Sequence, residues 1–169
     1  PAGLATMGVP ADKPSLLGLC KEYIKKRYDK PGNVYLGIVS RLDAPVTGVI
    51  LLARTSKAAA RLTDQFRGGD VKKLYWALVE GAPDPSTCDC QDWLRHDDRH
   101  RRMHVAAPSN PDAKEARLSY RTIRRVGKSS LLEVELQTGR KHQIRLQLAH
   151  RGWPILGDRK YGSRRAFRS

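Results

Sequence analysis

An alternating pattern across residues 116–138 constrains the fold more than any other feature of this sequence. Apolar and polar residues alternate through ARLSYRTIRRV and again through SSLLEVELQT, and GKS connects the two runs. Period-two alternation indicates a strand with one buried face, and a short connection that contains Gly is typical of a hairpin. We therefore predict two antiparallel strands that are neighbours in a sheet.

Other segments add strands and helices to this hairpin. The predicted strands are VYLGIVS (34–40), GVILLAR (48–54) and KKLYWALVEG (72–81). The predicted helices are KPSLLGLCKEYIKKRY, capped by Ser15; KAAARLTDQF, capped by Thr55 or Ser56 and ended by Gly68 and Gly69; and KHQIRLQLAHRG, ended by Gly152. Residues 86–115 are polar, basic and irregular, with two short pieces that could form a hairpin. Because no regular βαβ alternation is present, we expect an α+β fold with a mixed, mainly antiparallel sheet flanked by helices.

The length of 169 residues fits one domain, residues 1–169, with its own core. Both ends are abrupt, since Pro1 begins as if within a loop and YGSRRAFRS adds no closing element, so we expect a fragment of a longer chain. No apolar run approaches the roughly 20 residues that span a bilayer, and no membrane partner is expected. Three cysteines do not suggest a disulfide framework, which indicates a reducing compartment such as the cytoplasm.

The charge balance indicates a polyanionic partner. The chain has 32 Lys and Arg against 17 Asp and Glu, for a formal net charge of +15. A merely solubilising surface needs less imbalance, and a membrane-surface role would need a basic amphipathic helix that the sequence lacks. Binding to the phosphate backbone of a nucleic acid is the favoured interpretation.

The segment RLD places Arg41 and Asp43 on one side of an extended chain, just before an apolar run that predicts a buried strand. Taken alone, Asp43 is best interpreted as a turn residue that accepts local backbone N–H groups. A catalytic carboxylate is the alternative. It would need a cation beside it, since an unpaired charge is costly to bury.

Basic residues and one tyrosine form two further candidate sites. Arg140, Lys141 and Arg145 surround the turn Thr138-Gly139, and His142 is three residues from Arg145 on the predicted helix. This arrangement suits phosphate binding, although a solvated basic face is the usual explanation of such charge. Tyr75 lies in a predicted strand with two apolar faces, as a core residue or as a platform for a flipped base.

A metal site is the competing hypothesis. Cys88 and Cys90 precede three histidines spaced four apart, which are His96, His100 and His104. A helix would align the histidines as zinc requires, yet Cys-X-Cys with loose histidines matches no closed site. We interpret the group as accidental and expect no metal.

Three segments resemble the signature segments of the RluA-type family of RNA pseudouridine synthases, in the same order and at the same spacing. They are SRLDAPVTGVILLARTSKAAARLTDQF, KKLYWALVEG and TGRKHQIRLQLAHRGWPILGDRKYG. The resemblance extends to DWLRHDDRHRRMHV and AKEARLSYR. It implies the pseudouridine synthase fold, without the S4-like domain of some relatives and with further strands beyond both ends.

The resemblance also implies an activity and roles for individual residues. The family converts uridine in RNA to its C-glycoside isomer by flipping the base, without a metal or organic cofactor. Asp43 matches the essential aspartate, Tyr75 the tyrosine that stacks on the flipped base, and Arg145 the residue that pairs with the aspartate. Arg41 matches an arginine that contacts the RNA. We expect Arg140, Lys141 and His142 to bind RNA as well.

Two rival functions remain open. A non-catalytic RNA-binding domain could keep the synthase fold, although binding alone would not need the carboxylate of Asp43. A zinc-dependent nucleic-acid protein would rest on the Cys/His group. Our prediction is a monomeric isomerase that acts on ribosomal or transfer RNA.

Overall fold

The computed structural model describes residues 2–10 and 12–167. The chain divides into two compact units, residues 1–71 and residues 72–169. Within the described residues, no helix has the length and apolar character needed to cross a membrane.

Unit 1 contains two helices and a short antiparallel pair of strands. Their bounds are α1 Leu16–Arg27, β1 Gly37–Ile38, β2 Leu52–Ala53 and α2 Ser56–Gly68. Both helices begin at the predicted caps, since Ser15 Oγ accepts the N–H of Gly18 and Thr55 Oγ1 accepts the N–H of Ala58, each at 3.1 Å. Gly69 ends α2 with a φ of +89°, a conformation that glycine adopts without strain.

The strands of unit 1 are much shorter than predicted. The pairing covers only Gly37 with Ala53 and Ile38 with Leu52. Residues 48–51 were expected to begin a buried strand, but they are mostly exposed, and Val49 is 88% exposed. Their apolar composition matched the pattern of a strand. A strand is buried in a sheet only where a partner pairs with it, and β1 pairs only with Leu52 and Ala53.

Unit 2 is built on a five-stranded sheet in which every pairing is antiparallel, in the order β3-β7-β6-β4-β5. Its elements are β3 Leu74–Glu80, β4 Thr87–Asp97, β5 Arg102–Ala106, β6 Lys114–Val126, β7 Ser129–Leu136, α3 Gln143–His150 and a 3-10 turn Arg159–Tyr161. The predicted α+β class is confirmed. The helix predicted at 141–152 is also confirmed, as α3.

The hairpin predicted from the alternating pattern is present as β6 and β7. Val126 pairs with Ser129, so Gly127 and Lys128 form a two-residue turn. Because of the alternation, every second residue of each strand lies on the covered face of the sheet. The core residues of this face include Ala116, Leu118, Tyr120, Leu132 and Val134, each at most 3% exposed.

Residues 86–115 are regular, contrary to the prediction of an irregular region. The expected hairpin exists, but its first strand, β4, is 11 residues long and pairs with both β5 and β6. Asp92 interrupts the alternation of apolar and polar residues in β4, because it occupies an inward position where an apolar residue was expected. Its carboxylate accepts from Gln147 Nε2 at 2.7 Å and from Arg151 Nη1 at 2.8 Å, which compensates its burial.

Candidate active site

Asp43 lies in the connection between β1 and β2, as the sequence predicted. Its carbonyl accepts the N–H of Val46 at 2.9 Å, which closes the turn through Ala44 and Pro45. The N-terminal segment anchors this turn, because Gly3 N–H donates to the carbonyl of Ala44 at 2.7 Å. The partly buried carboxylate is therefore carried by a fixed loop, and Arg41 lies exposed two residues earlier.

Tyr75 lies on the inner face of β3, directly opposite Val134 of β7. It packs against the main core cluster, and burial raises the pKa of its hydroxyl above the ordinary value. The outer face of the same strand is apolar but poorly covered, because Trp76 is 75% exposed. Tyr75 is thus a half-buried ring at the edge of the core.

Arg145 lies in the first turn of α3 and forms a bidentate ion pair with Asp158. Its Nε lies 2.6 Å from Oδ2 and its Nη2 lies 2.8 Å from Oδ1. The two side chains are 18% and 10% exposed, so the pair is largely removed from water. Parallel N–H···O⁻ bonds of this kind fix the plane of the guanidinium. Sequence reasoning missed Asp158, because a spacing of 13 residues matches no helix or strand period.

Tyr161 connects Arg145 to the neighbouring strand. Its buried hydroxyl oxygen accepts the N–H of Met103 at 3.2 Å and forms a second hydrogen bond of 2.7 Å with Nδ1 of His142. The guanidinium carbons of Arg145 and Arg102 lie 5.0 and 5.1 Å from the centre of its ring. Desolvation raises the pKa of Tyr161, so the hydroxyl keeps its proton at neutral pH. His142 has a φ of +53° and precedes α3 as its cap.

The turn before α3 is held by Gln143, another residue that the sequence interpretation missed. Its Oε1 accepts the Arg140 N–H at 2.9 Å and the Thr138 hydroxyl at 2.8 Å, and its Nε2 donates to the carbonyl of Arg117 at 3.0 Å. Arg140 and Lys141 lie exposed on this turn. The predicted RNA-binding residues of the turn are therefore presented by a fixed backbone.

The cysteines and histidines of the zinc hypothesis lie along β4 and the hairpin that follows it. Cys90 is buried, and its Sγ lies 3.9 Å from that of Cys88. His96 is six residues further along the strand, roughly 20 Å away at the usual rise. His96 pairs with Asp98, while His100 and His104 lie 2.8 and 3.5 Å from Asp97. Within residues 2–10 and 12–167, no three such side chains are grouped as a metal site would require.

A family model described as RNA pseudouridylate synthase matches residues 1–150. The chain belongs to the RNA pseudouridine synthase family. The resemblance to RluA-type synthases is thereby confirmed.

Relatives of this synthase domain come from several bacteria. The chain is 44% identical over 136 residues to an uncharacterized RNA pseudouridine synthase of Chloroflexus aurantiacus, covering 80% of the chain and 42% of the relative. It is 39% identical over 127 residues to the ribosomal large subunit pseudouridine synthase D of Xanthomonas campestris, covering 75% of the chain and 37% of the relative. The chain therefore spans about two fifths of the length of these relatives.

A solved structure supports the same assignment. Human RNA pseudouridylate synthase domain containing 4 superposes with a TM-score of 0.81 at 27% identity, covering 100% of this chain and 67% of that one. The synthase fold predicted from the three signature segments is confirmed.

Proposed function

We propose that this protein isomerises uridine to pseudouridine in ribosomal or transfer RNA. The observation that carries the proposal is the family match across residues 1–150, which includes the segments of Asp43, Tyr75 and Arg145. One relative is a ribosomal large subunit pseudouridine synthase, which favours ribosomal RNA as the substrate. Residues 1–169 act as one catalytic domain in this proposal.

In the proposed reaction the target uridine leaves its stack, which costs a few kcal/mol. Stacking of the flipped base on Tyr75 returns about 1–3 kcal/mol. Asp43 then attacks or deprotonates the ribose, so that the bond between C1′ and N1 breaks. The uracil reattaches to the ribose through C5, which displaces Asp43 or lets it return the proton to the ribose. C5 then loses its proton, and N1 gains one. Atoms and electrons balance without an oxidant, so the scheme needs no cofactor or metal.

Arg145 is the basic partner of Asp43 in this scheme. A cation close to a carboxylate favours its charged form, and the effect is stronger where water is excluded. A guanidinium has five N–H donors, and the pair with Asp158 uses two of them. In this proposal Arg145 serves the catalytic carboxylate while it remains paired with Asp158.

In this proposal the RNA is bound by residues of both units. Arg41 contacts the RNA beside the flipped nucleotide, and the exposed turn of Arg140 and Lys141 binds phosphates, together with His142. A net charge of +15 favours this binding. The protein works as a monomer in the cytoplasm, where its three free thiols remain reduced.

The decisive experiment compares Asp43→Asn with Asp64→Asn in the release of tritium from RNA that contains 5-³H-uridine. Asp43→Asn keeps the shape and removes the charge, so release should stop while RNA binding persists. Asp64 is a matched control, because it is an exposed carboxylate of α2 that pairs only weakly with Arg67 at 3.8 Å. Full release by Asp43→Asn would refute the catalytic role of Asp43, whereas no release by the wild type from ribosomal or transfer RNA would favour the non-catalytic RNA-binding function.

A further inference from the structure

The tip of the β6–β7 hairpin gathers cations outside the candidate active site. Arg165 joins the tip because its Nη1 donates to the carbonyl of Lys128 at 3.1 Å and to Ser129 Oγ at 2.9 Å. Arg124 and Arg125 approach the tip along β6. We name the five exposed cations the hairpin-tip cluster: Arg124, Arg125, Lys128, Arg164 and Arg165.

Within the described part of the chain, the cations at the tip form no ion pairs, whereas the arginines nearer the start of β6 do. Arg121 pairs with Glu133 at 2.8 Å, and Arg117 lies 3.8 Å from Glu115. By contrast, none of the ion pairs formed among the described residues includes Arg124, Arg125 or Lys128. Their charge is therefore available to an external anion.

The cluster is held in place before any ligand arrives. Glu80 Oε1 accepts the Ser163 hydroxyl at 2.6 Å and the N–H groups of Arg164 and Arg165 at 3.0 Å each. These bonds tie residues 163–165 to the end of β3, beside the hairpin turn. Cations fixed in this way lose less conformational freedom on binding than cations on a mobile segment.

The register of the sheet gives the distance from the cluster to the reacting groups. Tyr75 pairs with Val134, whereas Glu80 pairs with Ser129 at the tip, five residues further along the strands. At the usual rise per residue the separation is roughly 17 Å. Successive charges of one strand in a duplex are roughly 3.4 Å apart, so this separation corresponds to on the order of five nucleotides.

We propose that the hairpin-tip cluster binds backbone phosphates of the substrate on the flank of the target uridine, on the order of five nucleotides from it. The inference rests on the proposed function, because it takes Tyr75 as the position of the flipped base. The cluster then selects for substrates with structured RNA on that flank. It takes no part in the chemical step.

The test removes three charges at the tip and measures binding to two RNAs. Arg124→Gln, Arg125→Gln and Lys128→Gln are combined in one variant, and all three side chains are exposed. The control combines Lys25→Gln, Lys26→Gln and Lys30→Gln, which removes the same charge from exposed positions of unit 1. Filter binding gives Kd for an RNA with about ten nucleotides on each side of the uridine and for one with about two.

For the long RNA, the tip variant should raise Kd about tenfold or more and lower the slope of log Kd against log salt by about 2 to 3. For the short RNA it should match the wild type, and the rate at saturating RNA should not change. Equal losses for the two variants, or for the two RNAs, would overturn the proposal. Because Kd needs no turnover, an absence of tritium release would count against the proposed function and leave this test intact.

Discussion

Arg145 and Asp158 face each other through two parallel hydrogen bonds of 2.6 and 2.8 Å, with both side chains largely buried. The pair fixes the direction of the guanidinium from a position 13 residues away in sequence. In the proposed mechanism Asp158 acts through Arg145 and never touches the RNA, so it is a positioning residue. Replacement of Asp158 should lower the rate at saturating RNA more than it weakens RNA binding.

Asp158→Asn should lower the free energy of unfolding by about 3–5 kcal/mol, because it leaves a largely buried guanidinium without its carboxylate. The rate of tritium release at saturating RNA should fall as well, while Kd for RNA stays close to that of the wild type. Urea denaturation and single-turnover kinetics measure the two effects.

Asp92→Asn is the matched control for that variant. Asp92 pairs with Arg151 at 2.8 Å with a similar degree of burial, 10% and 22% exposed, but it touches none of the proposed reacting residues. It should cost a similar stability and leave the rate of the folded enzyme unchanged. Equal losses of rate in the two variants would mean that Asp158 acts through stability alone.

Tyr75 and Trp76 are adjacent residues on opposite faces of β3, and they allow a direct test of base stacking. Tyr75→Leu should weaken RNA binding by about 1–3 kcal/mol, whereas Trp76→Leu should not. Tyr75→Phe should retain binding, so any loss of rate would isolate a role for the hydroxyl. Since burial raises the pKa of Tyr75, its ionisation should not shape the pH profile of the rate below about pH 10. Weaker RNA binding by Trp76→Leu would indicate that the base stacks on the outer face of β3 instead.

Some features of the fold could be predicted from the sequence, because they depend only on residues that are close together in the chain. The β6–β7 hairpin, the caps Ser15 and Thr55 and the end of α2 at Gly69 each depend on a few consecutive residues. Asp92 and Asp158 could not be predicted, because the partners that compensate their burial lie 59 and 13 residues away. The prediction for residues 48–51 was wrong for the opposite reason, since a strong local pattern lacked a partner strand of matching length.

Asp97 should titrate far below an ordinary aspartate. A hydrogen bond from the side chain of His100 is the largest cause that lowers its pKa, to about 2. Because the folded pKa lies below the unfolded value, the stabilisation is present above about pH 4 and is lost as the pH falls toward about 2. Carboxyl NMR titration should show the pKa of Asp97 rising in His100→Ala. His96→Ala is the control, since His96 bonds to Asp98 instead; a pKa of Asp97 that stays low in both variants would point to another cause.

The purified protein should carry no stoichiometric zinc, and a chelator should leave tritium release unchanged. The cysteines and the histidines are separated by about six residues of β4, roughly 20 Å, and the histidines bond to Asp97 and Asp98. Elemental analysis makes the measurement. One zinc held per chain would revive the metal-dependent alternative.

The contacts of Tyr161 determine when the surroundings of Arg145 can form during synthesis of the chain. Its hydroxyl bonds to residues 58 and 19 positions earlier, so these contacts cannot form before residue 161 has been synthesised. The elements of the sheet up to β7 can pair as they leave the ribosome. The surroundings of Arg145 stay incomplete until residue 161 has emerged, so a nascent chain that already has its sheet should still be inactive.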